Sequence, residues 1–305
     1  MCEYERLPAR PPNWSNDRTF FYKYVTAETG LKILENGCLR WSTPGTLNDP
    51  YDLQFDLSVN FNAERVQQLS LNKMWAVFKG NAEARPGMGQ MLRLMGTQLP
   101  EMTQSQFQDE FRDAIDEGYK NVMAALPGIQ KEIREIVSNS KILCLTIDPT
   151  KPTMWAHYAN NHRGIVIRFR SIPFLDSCFG LANPVRYTDD IPSLLDEEGM
   201  SEIAAGGPGV DTKSALSNLA FTKGADWSSE SEWRVYAGSG RDASALYEDL
   251  PFHDLELSAV IFGMATPQEN RDSLMRVIAK YPNVDVLQSG RSPGGFKMLI
   301  QEVSN

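Results

Sequence analysis

The order of the elements predicts an α+β fold: a mixed or antiparallel sheet core interrupted by a helical insertion. Two observations carry that expectation. Strand-like runs rich in aromatic and β-branched residues stand near the start, at 20–25 and 38–42, and return repeatedly after residue 140. Between them, residues 62–138 switch to helical spacing of Leu, Val, Met, Phe and Ile. This order does not match the regular strand–helix alternation of a doubly wound parallel sheet. The expected division is a core domain, 1–61 with 139–305, and an insertion, 62–138.

Each element has its own signal. After an irregular, proline-bearing lead-in, Phe20-Phe21-Tyr22-Lys23-Tyr24-Val25 reads as a strand. Thr26 can cap the short helix that follows, and Asn36-Gly37 ends it, because glycine accepts the left-handed conformation a helix stop needs. A second strand, Cys38 to Ser42, runs into the turn-rich Thr43–Asp52 loop, where Asn48-Asp49-Pro50 predicts a capped, mainly architectural turn. Helices are expected over 63–79, 89–96, 104–117 and 121–137, separated by Arg85-Pro86-Gly87, Leu99-Pro100 and Leu126-Pro127-Gly128. Strands resume at 141–146, 164–170, 184–187, 232–237, 259–262, 284–287 and 296–301. Helices are expected near 211–221 and 267–280, the first preceded by a Gly-rich loop at 204–209.

Composition narrows the function classes. A net charge of -9 disfavours extended, nonspecific nucleic-acid binding, which needs phosphate neutralisation, but leaves room for a local basic pocket. No apolar run approaches the roughly 20 residues that span a bilayer, and the N-terminus lacks a secretory signal pattern, so a cytoplasmic protein with no membrane partner is expected. Cys2, Cys38, Cys144 and Cys178 form no CxxC pair; Cys38 and Cys144 read as buried free thiols, and no metal site is expected.

Four clusters could carry chemistry: Tyr22-Lys23-Tyr24; Trp41-Ser42-Thr43 with Asn48-Asp49-Pro50-Tyr51-Asp52; Met154-Trp155-Ala156-His157-Tyr158 with His162-Arg163-Gly164; and Asp226 to Arg234. The third holds two of the three histidines, side chains that exchange protons near neutrality, beside stacking rings and an Arg fork suited to phosphate. Its plainer alternative is a capped helix with core aromatics and solvated His162 and Arg163. In the fourth, Glu230 and Glu232 would share one face of a strand, and mutual repulsion would raise the pKa of one of them. Arg234 would share that face and pair with Glu232. The plainer alternative is an edge strand with a surface pair worth at most about 1 kcal/mol.

In this order the four clusters resemble a widespread bacterial family catalogued only as a domain of unknown function, whose members often stand near phage-defence or mobile-element genes. More remotely, strand, short Gly-ended helix, strand, Ser-Thr and late Glu-x-Glu resemble NAD-dependent ADP-ribosyltransferases. That resemblance implies an NAD-consuming transferase or glycohydrolase, a defence or toxin effector, with NAD as substrate. Lys23 or Tyr24 of the Tyr22-Lys23-Tyr24 strand would contact NAD. Ser42 and Thr43 would support the nicotinamide pocket, Glu232 would stabilise the ribosyl cation, and Glu230 would orient the acceptor. Trp41, Trp155 or Tyr158 would stack on a base, and Arg163 or Lys23 would meet the pyrophosphate. His162 joins the binding residues, and His157 the proton-handling ones. The chain departs from that superfamily in lacking a first-strand Arg, in carrying Pro44 after Ser42-Thr43, and in its His157–Arg163 segment. The alternative class is a noncatalytic module binding a nucleotide-type small molecule or a partner, with the acceptor macromolecule undefined. A metal-dependent nuclease using Asp49, Asp52, His157 and His162 ranks third.

Overall fold

The computed structural model describes residues 10–302, so Cys2 and the extreme N-terminal stretch lie outside the described residues. In chain order the elements are β1 (Phe20–Val25), α1 (Ala27–Asn36), β2 (Cys38–Ser42), β3 (Ser58–Val59), α2 (Ala63–Phe78), α3 (Met88–Gln98), α4 (Gln104–Ser138), β4 (Lys141–Thr146), α5 (Pro152–His157) and β5 (Ile165–Arg170). Then follow β6 (Asn183–Pro184), β7 (Arg186–Thr188), β8 (Ser193–Leu195), α6 (Glu197–Ala204), α7 (Thr212–Ala220), β9 (Thr222–Gly224), β10 (Glu232–Ala237), β11 (Tyr247–Pro251), β12 (Leu257–Phe262), α8 (Gln268–Ile278), β13 (Asp285–Arg291) and β14 (Met298–Glu302). The fold is α+β with a mostly antiparallel, open sheet.

Two compact units emerge. The first takes residues up to Gln54, Val137–Asp189 and those from Phe221; the second takes Phe55–Ile136 and Asp190–Ala220. Residues 190–220, assigned to the core domain from sequence, therefore group with the helical block.

In the first unit the sheet runs β11-β2-β4-β1-β5-β12-β13-β14, with β10 paired to β4 and β6. Strand alternation sorts the side chains by face. Phe21 and Val25 of β1 join Ile165, Ile167 and Phe169 of β5 and Val260 of β12 in the main core, while Tyr24, Val166 and Ile261 join Met154 and Trp155 on the other side. Thr26 caps α1 by accepting from the Thr29 N–H, and Gly37 closes it at φ 61°, as the sequence predicts. The only parallel pair in this sheet among the described residues is β12–β13, joined through α8.

The chain reverses between α5 and β5 through three successive left-handed residues, Asn160, Asn161 and His162, with φ of 47°, 52° and 66°. That conformation costs an L-residue free energy, and packing around it must hold it in place. Two glycines make room: a Cβ on Gly164 would sit 2.2 Å from the Val25 carbonyl oxygen, and one on Gly263 would sit 2.0 Å from that of His162.

The second unit is built by α2, α3, α4, α6 and α7, with Leu71, Met74, Phe78, Leu92, Phe107 and Ile115 as its apolar centre. The break expected at Leu126-Pro127-Gly128 does not occur, because α4 runs through it as one helix of 35 residues. A proline deletes one backbone bond and crowds the preceding turn. The buried stripe of Ile115, Leu126, Ile133 and Val137 nonetheless keeps helical spacing on both sides of it. The sequence reading omits the short β3, β8, β9 and β11 strands and helix α6.

Gly164→Ala is expected to lower stability by about 1–3 kcal/mol, the usual cost of overpacking. A denaturant midpoint unchanged from the wild type would show that the β1–β5 junction has slack that the geometry does not indicate.

Candidate functional site

The site originates in a branching of the sheet. Along one edge β4 pairs with β10 over its whole length, from Thr146 opposite Glu232 to Lys141 opposite Ala237. Along the other it meets β1 only at Thr146, opposite Tyr22, and β2 only at Ile142, opposite Ser42. A cavity of about 240 Å³ is lined from both sides of this gap, by Tyr22, Lys23 and Tyr24 of β1, Arg40 and Ser42 of β2, and Cys144 and Thr146 of β4. Lys23 spans the gap: its Nζ donates to the Cys144 carbonyl at 2.9 Å, supplying a donor where no neighbouring strand does. The 46–52 loop contributes Asn48, Asp49 and Asp52, and Tyr158, Lys223, Glu230 and Glu232 also line it.

One wall is a buried ionic network. Arg234, with a fully buried side chain, donates from Nε to Glu232 Oε1 at 2.8 Å and from Nη2 to Glu232 Oε2 at 2.9 Å and Asp52 Oδ2 at 2.6 Å. Lys223 Nζ donates to Glu230 Oε2 at 2.6 Å and Glu232 Oε2 at 3.2 Å, and lies 3.6 Å from Asp52 Oδ2. Tyr158 Oη donates to Glu230 Oε1 at 2.5 Å. The Glu232 backbone N–H donates to Tyr187 Oη at 2.8 Å, and the Trp227 ring covers Lys223. Asp49 makes the predicted turn, its Oδ1 accepting from the Tyr51 N–H.

Three carboxylates here face two cations, so they cannot all be equally stabilised. Burial works against ionised Glu232, but the charges and hydrogen bonds of Arg234 and the charge of Lys223 outweigh it and hold its carboxyl at about 2. Burial prevails at Glu230 and Asp52, raising both despite Lys223, Tyr158 and Arg234. The Asp52 Oδ1 atom is buried with no hydrogen-bond partner among the described residues, which fits the raised carboxyl. Burial would lower Lys223, but Glu232, Glu230 and Asp52 push it upward. The wall thus pairs a firmly ionised Glu232 with a Glu230 that burial makes more basic.

The structure sorts the residues that sequence nominated. Tyr22, Lys23, Tyr24, Ser42, Tyr158, Glu230 and Glu232 line one cavity. The other six do not. Trp41 faces the opposite side of β2 from Ser42 and belongs to the apolar core. Thr43 is buried and tied to the Leu246 carbonyl through both its N–H and its hydroxyl. Trp155 is a core ring with its indole N–H on the Pro149 carbonyl, and His162 stacks on it at 6.0 Å. Arg163 is exposed. His157 is also exposed, its ring 6.4 Å from that of Trp227.

Further expectations change. Glu230 and Glu232 do not share a strand face, because Glu230 ends a 3-10 turn and Ser231, at φ 48°, redirects the chain into β10. Their carboxylates converge through Lys223 instead. The Glu232–Arg234 pair is buried, not a surface pair. Cys38 and Cys144 are free but only partly buried. Asp49, Asp52, His157 and His162 form no metal-binding group among the described residues. Lys223 was missed, although two acids so close together called for a buried cation and Thr222-Lys223-Gly224 lies just upstream.

Residues 154–235 match the family described as "Protein of unknown function (DUF2971)". The match starts at Met154 and ends just past Arg234, so it includes the ionic wall except Asp52. Neither the curated proteins nor the solved structures yielded a match. No helix among the described residues is long and apolar enough to cross a membrane.

Removing one partner of a buried ion pair leaves the other uncompensated, so Arg234→Met is expected to cost about 3–5 kcal/mol. Arg40→Ala, which breaks a half-exposed pair with Asp249, should cost no more than about 1 kcal/mol. Equal losses in urea titrations would contradict this ranking. Glu232, with its pKa lowered on folding, stabilises fully above its usual 4.5 and loses that contribution as pH falls toward about 2. A Glu232→Gln chain should therefore show a shallower fall in stability over that window.

Proposed function

We propose that the cavity binds the nicotinamide–ribose part of NAD and promotes cleavage of the bond between them, passing ADP-ribose to an acceptor or to water. The observation that supports this reading is the divergence of Glu230 and Glu232, neighbours on one cavity wall whose carboxyls shift in opposite directions, Glu230 raised by burial and Glu232 lowered by Arg234 and Lys223. As the C–N bond breaks, its electron pair leaves with nicotinamide and positive charge develops on the ribose. An ionised, immobile Glu232 offers electrostatic stabilisation to that charge. The incoming nucleophile then bonds to the same carbon, and its proton passes to Glu230, whose carboxylate burial makes more basic than an exposed one. Tyr22, Tyr24 and Tyr158 offer ring surfaces at the lining. A volume of about 240 Å³ suits a ring and sugar better than a whole dinucleotide, since drug-sized ligands occupy about 300–1,000 Å³. An effector role in phage defence or as a toxin is part of the same proposal and rests on the family resemblance alone.

A second reading, a noncatalytic nucleotide-binding module, is favoured by the hydrogen bonding of Glu232, both of whose carboxylate oxygens already accept from Arg234.

Nicotinamide release from NAD separates the two. Wild type should release it, and Glu232→Gln should be slower by about 10²–10³-fold with NAD affinity nearly kept, thermal melts confirming that the variant is folded. Tyr158→Phe removes a donor that favours ionised Glu230, so the rising limb of its pH profile should move to higher pH. Equal release by wild type and Glu232→Gln would eliminate the catalytic assignment, and binding without release would favour the module.

A further inference from the structure

Lys23 occupies an unusual place in the cavity. It shares a face of β1 with Phe21 and Val25, a pattern that on an ordinary strand would carry three apolar side chains into the core. Its amine instead enters the gap between β1 and β2 and donates to one acceptor, the neutral carbonyl of Cys144. No carboxylate among the described residues lies within ion-pair distance of it, whereas Lys223 on the same lining has three. Glu232 acts on Lys23 only through space. The two lysines of this cavity thus differ in kind: Lys223 is a locked cation, and Lys23 is an amine with no counter-ion.

We propose that Lys23 is a nucleophilic amine that captures small aldehydes, including open-chain reducing sugars, as an imine within the cavity. This stands apart from the NAD reading and needs no glycosidic cleavage. The step balances without a further reagent. The ammonium loses a proton to solvent, and the free amine nitrogen bonds to the carbonyl carbon, giving up one of its two protons, through solvent, to the carbonyl oxygen. The resulting carbinolamine transfers its remaining N–H proton the same way to the hydroxyl, which leaves as water, and a neutral carbon–nitrogen double bond remains. Burial disfavours the charged form of the Lys23 amine and lowers its pKa, which enlarges the fraction able to attack at neutral pH. Tyr22, Tyr24 and Glu230 border the space an aldehyde would enter.

The test uses the full chain, glycolaldehyde as the probe and cyanoborohydride to trap the imine as a stable secondary amine, read by peptide mass mapping. Lys23 is expected to be modified several times faster than the exposed Lys32 and Lys131 at neutral pH, because burial enlarges its free-amine fraction and the cavity holds the aldehyde beside it. Lys23→Arg, which keeps a cation able to reach the Cys144 carbonyl, should fold and lose only that fast adduct. Modification of Lys23 no faster than of the surface lysines would overturn the proposal. So would an undiminished fast phase in Lys23→Arg. Neither result depends on whether the protein cleaves NAD.

Discussion

The ion cluster around Arg234 is the constraint on which the site depends. Its buried guanidinium joins β10 to the loop at Asp52, 182 residues away in the chain, and orients Glu232 from two directions. Withdrawing these charges from water carries a penalty of several kcal/mol per ion, which only close geometry and complete hydrogen bonding repay. Such a network adds little net stability compared with an apolar replacement. Its effect is on arrangement: with Arg234 in place, Asp52, Glu232 and Lys223 have little freedom to move, and Glu230 is fixed through Lys223 and Tyr158.

The cavity is a consequence of strand geometry as much as of side chains. A strand that pairs with one neighbour at one end and with another at the opposite end must leave a stretch of edge unpaired, and on β4 that stretch opens beside the charged wall. A backbone carbonyl there needs a donor, and Lys23 provides one. The uncovered β4 edge and the surplus of buried negative charge therefore share one small volume, which is why polar chemistry concentrates there.

Most of the fold was legible in the sequence because local signals and tertiary demands agree. The Thr26 cap, the Gly37 stop and the alternation of β1 fix their elements without help from distant residues. Where an outcome depended on distant partners, the sequence was ambiguous. Trp41, Trp155 and His162 carry the side chains of a ligand pocket, and only the packing of β2 and α5 reveals that the two Trp rings serve the core and that His162 stacks on one of them. Glu230 was nominated for a strand face it does not occupy, since one left-handed residue, Ser231, decides its direction. Lys223 is a single charge between ordinary neighbours, and its role exists only through three acids brought from elsewhere. Pro127 marks the reverse failure, a strong local signal overruled by a continuous buried stripe.

The register of β1 has a consequence for biosynthesis. Tyr22 pairs with Thr146, and the whole of β1 pairs with β5, so this strand, once made, waits for partners more than a hundred residues further along. The ribosome adds roughly 5–20 residues each second, which leaves Phe20 to Val25 exposed for several seconds as an aromatic, β-prone segment. Lys23 is the only charge within it. In the nascent chain that ammonium is fully hydrated and discourages association between chains, as a charge inside an otherwise sticky strand commonly does. The side chain that later closes the gap in the sheet thus protects the same strand before the sheet exists.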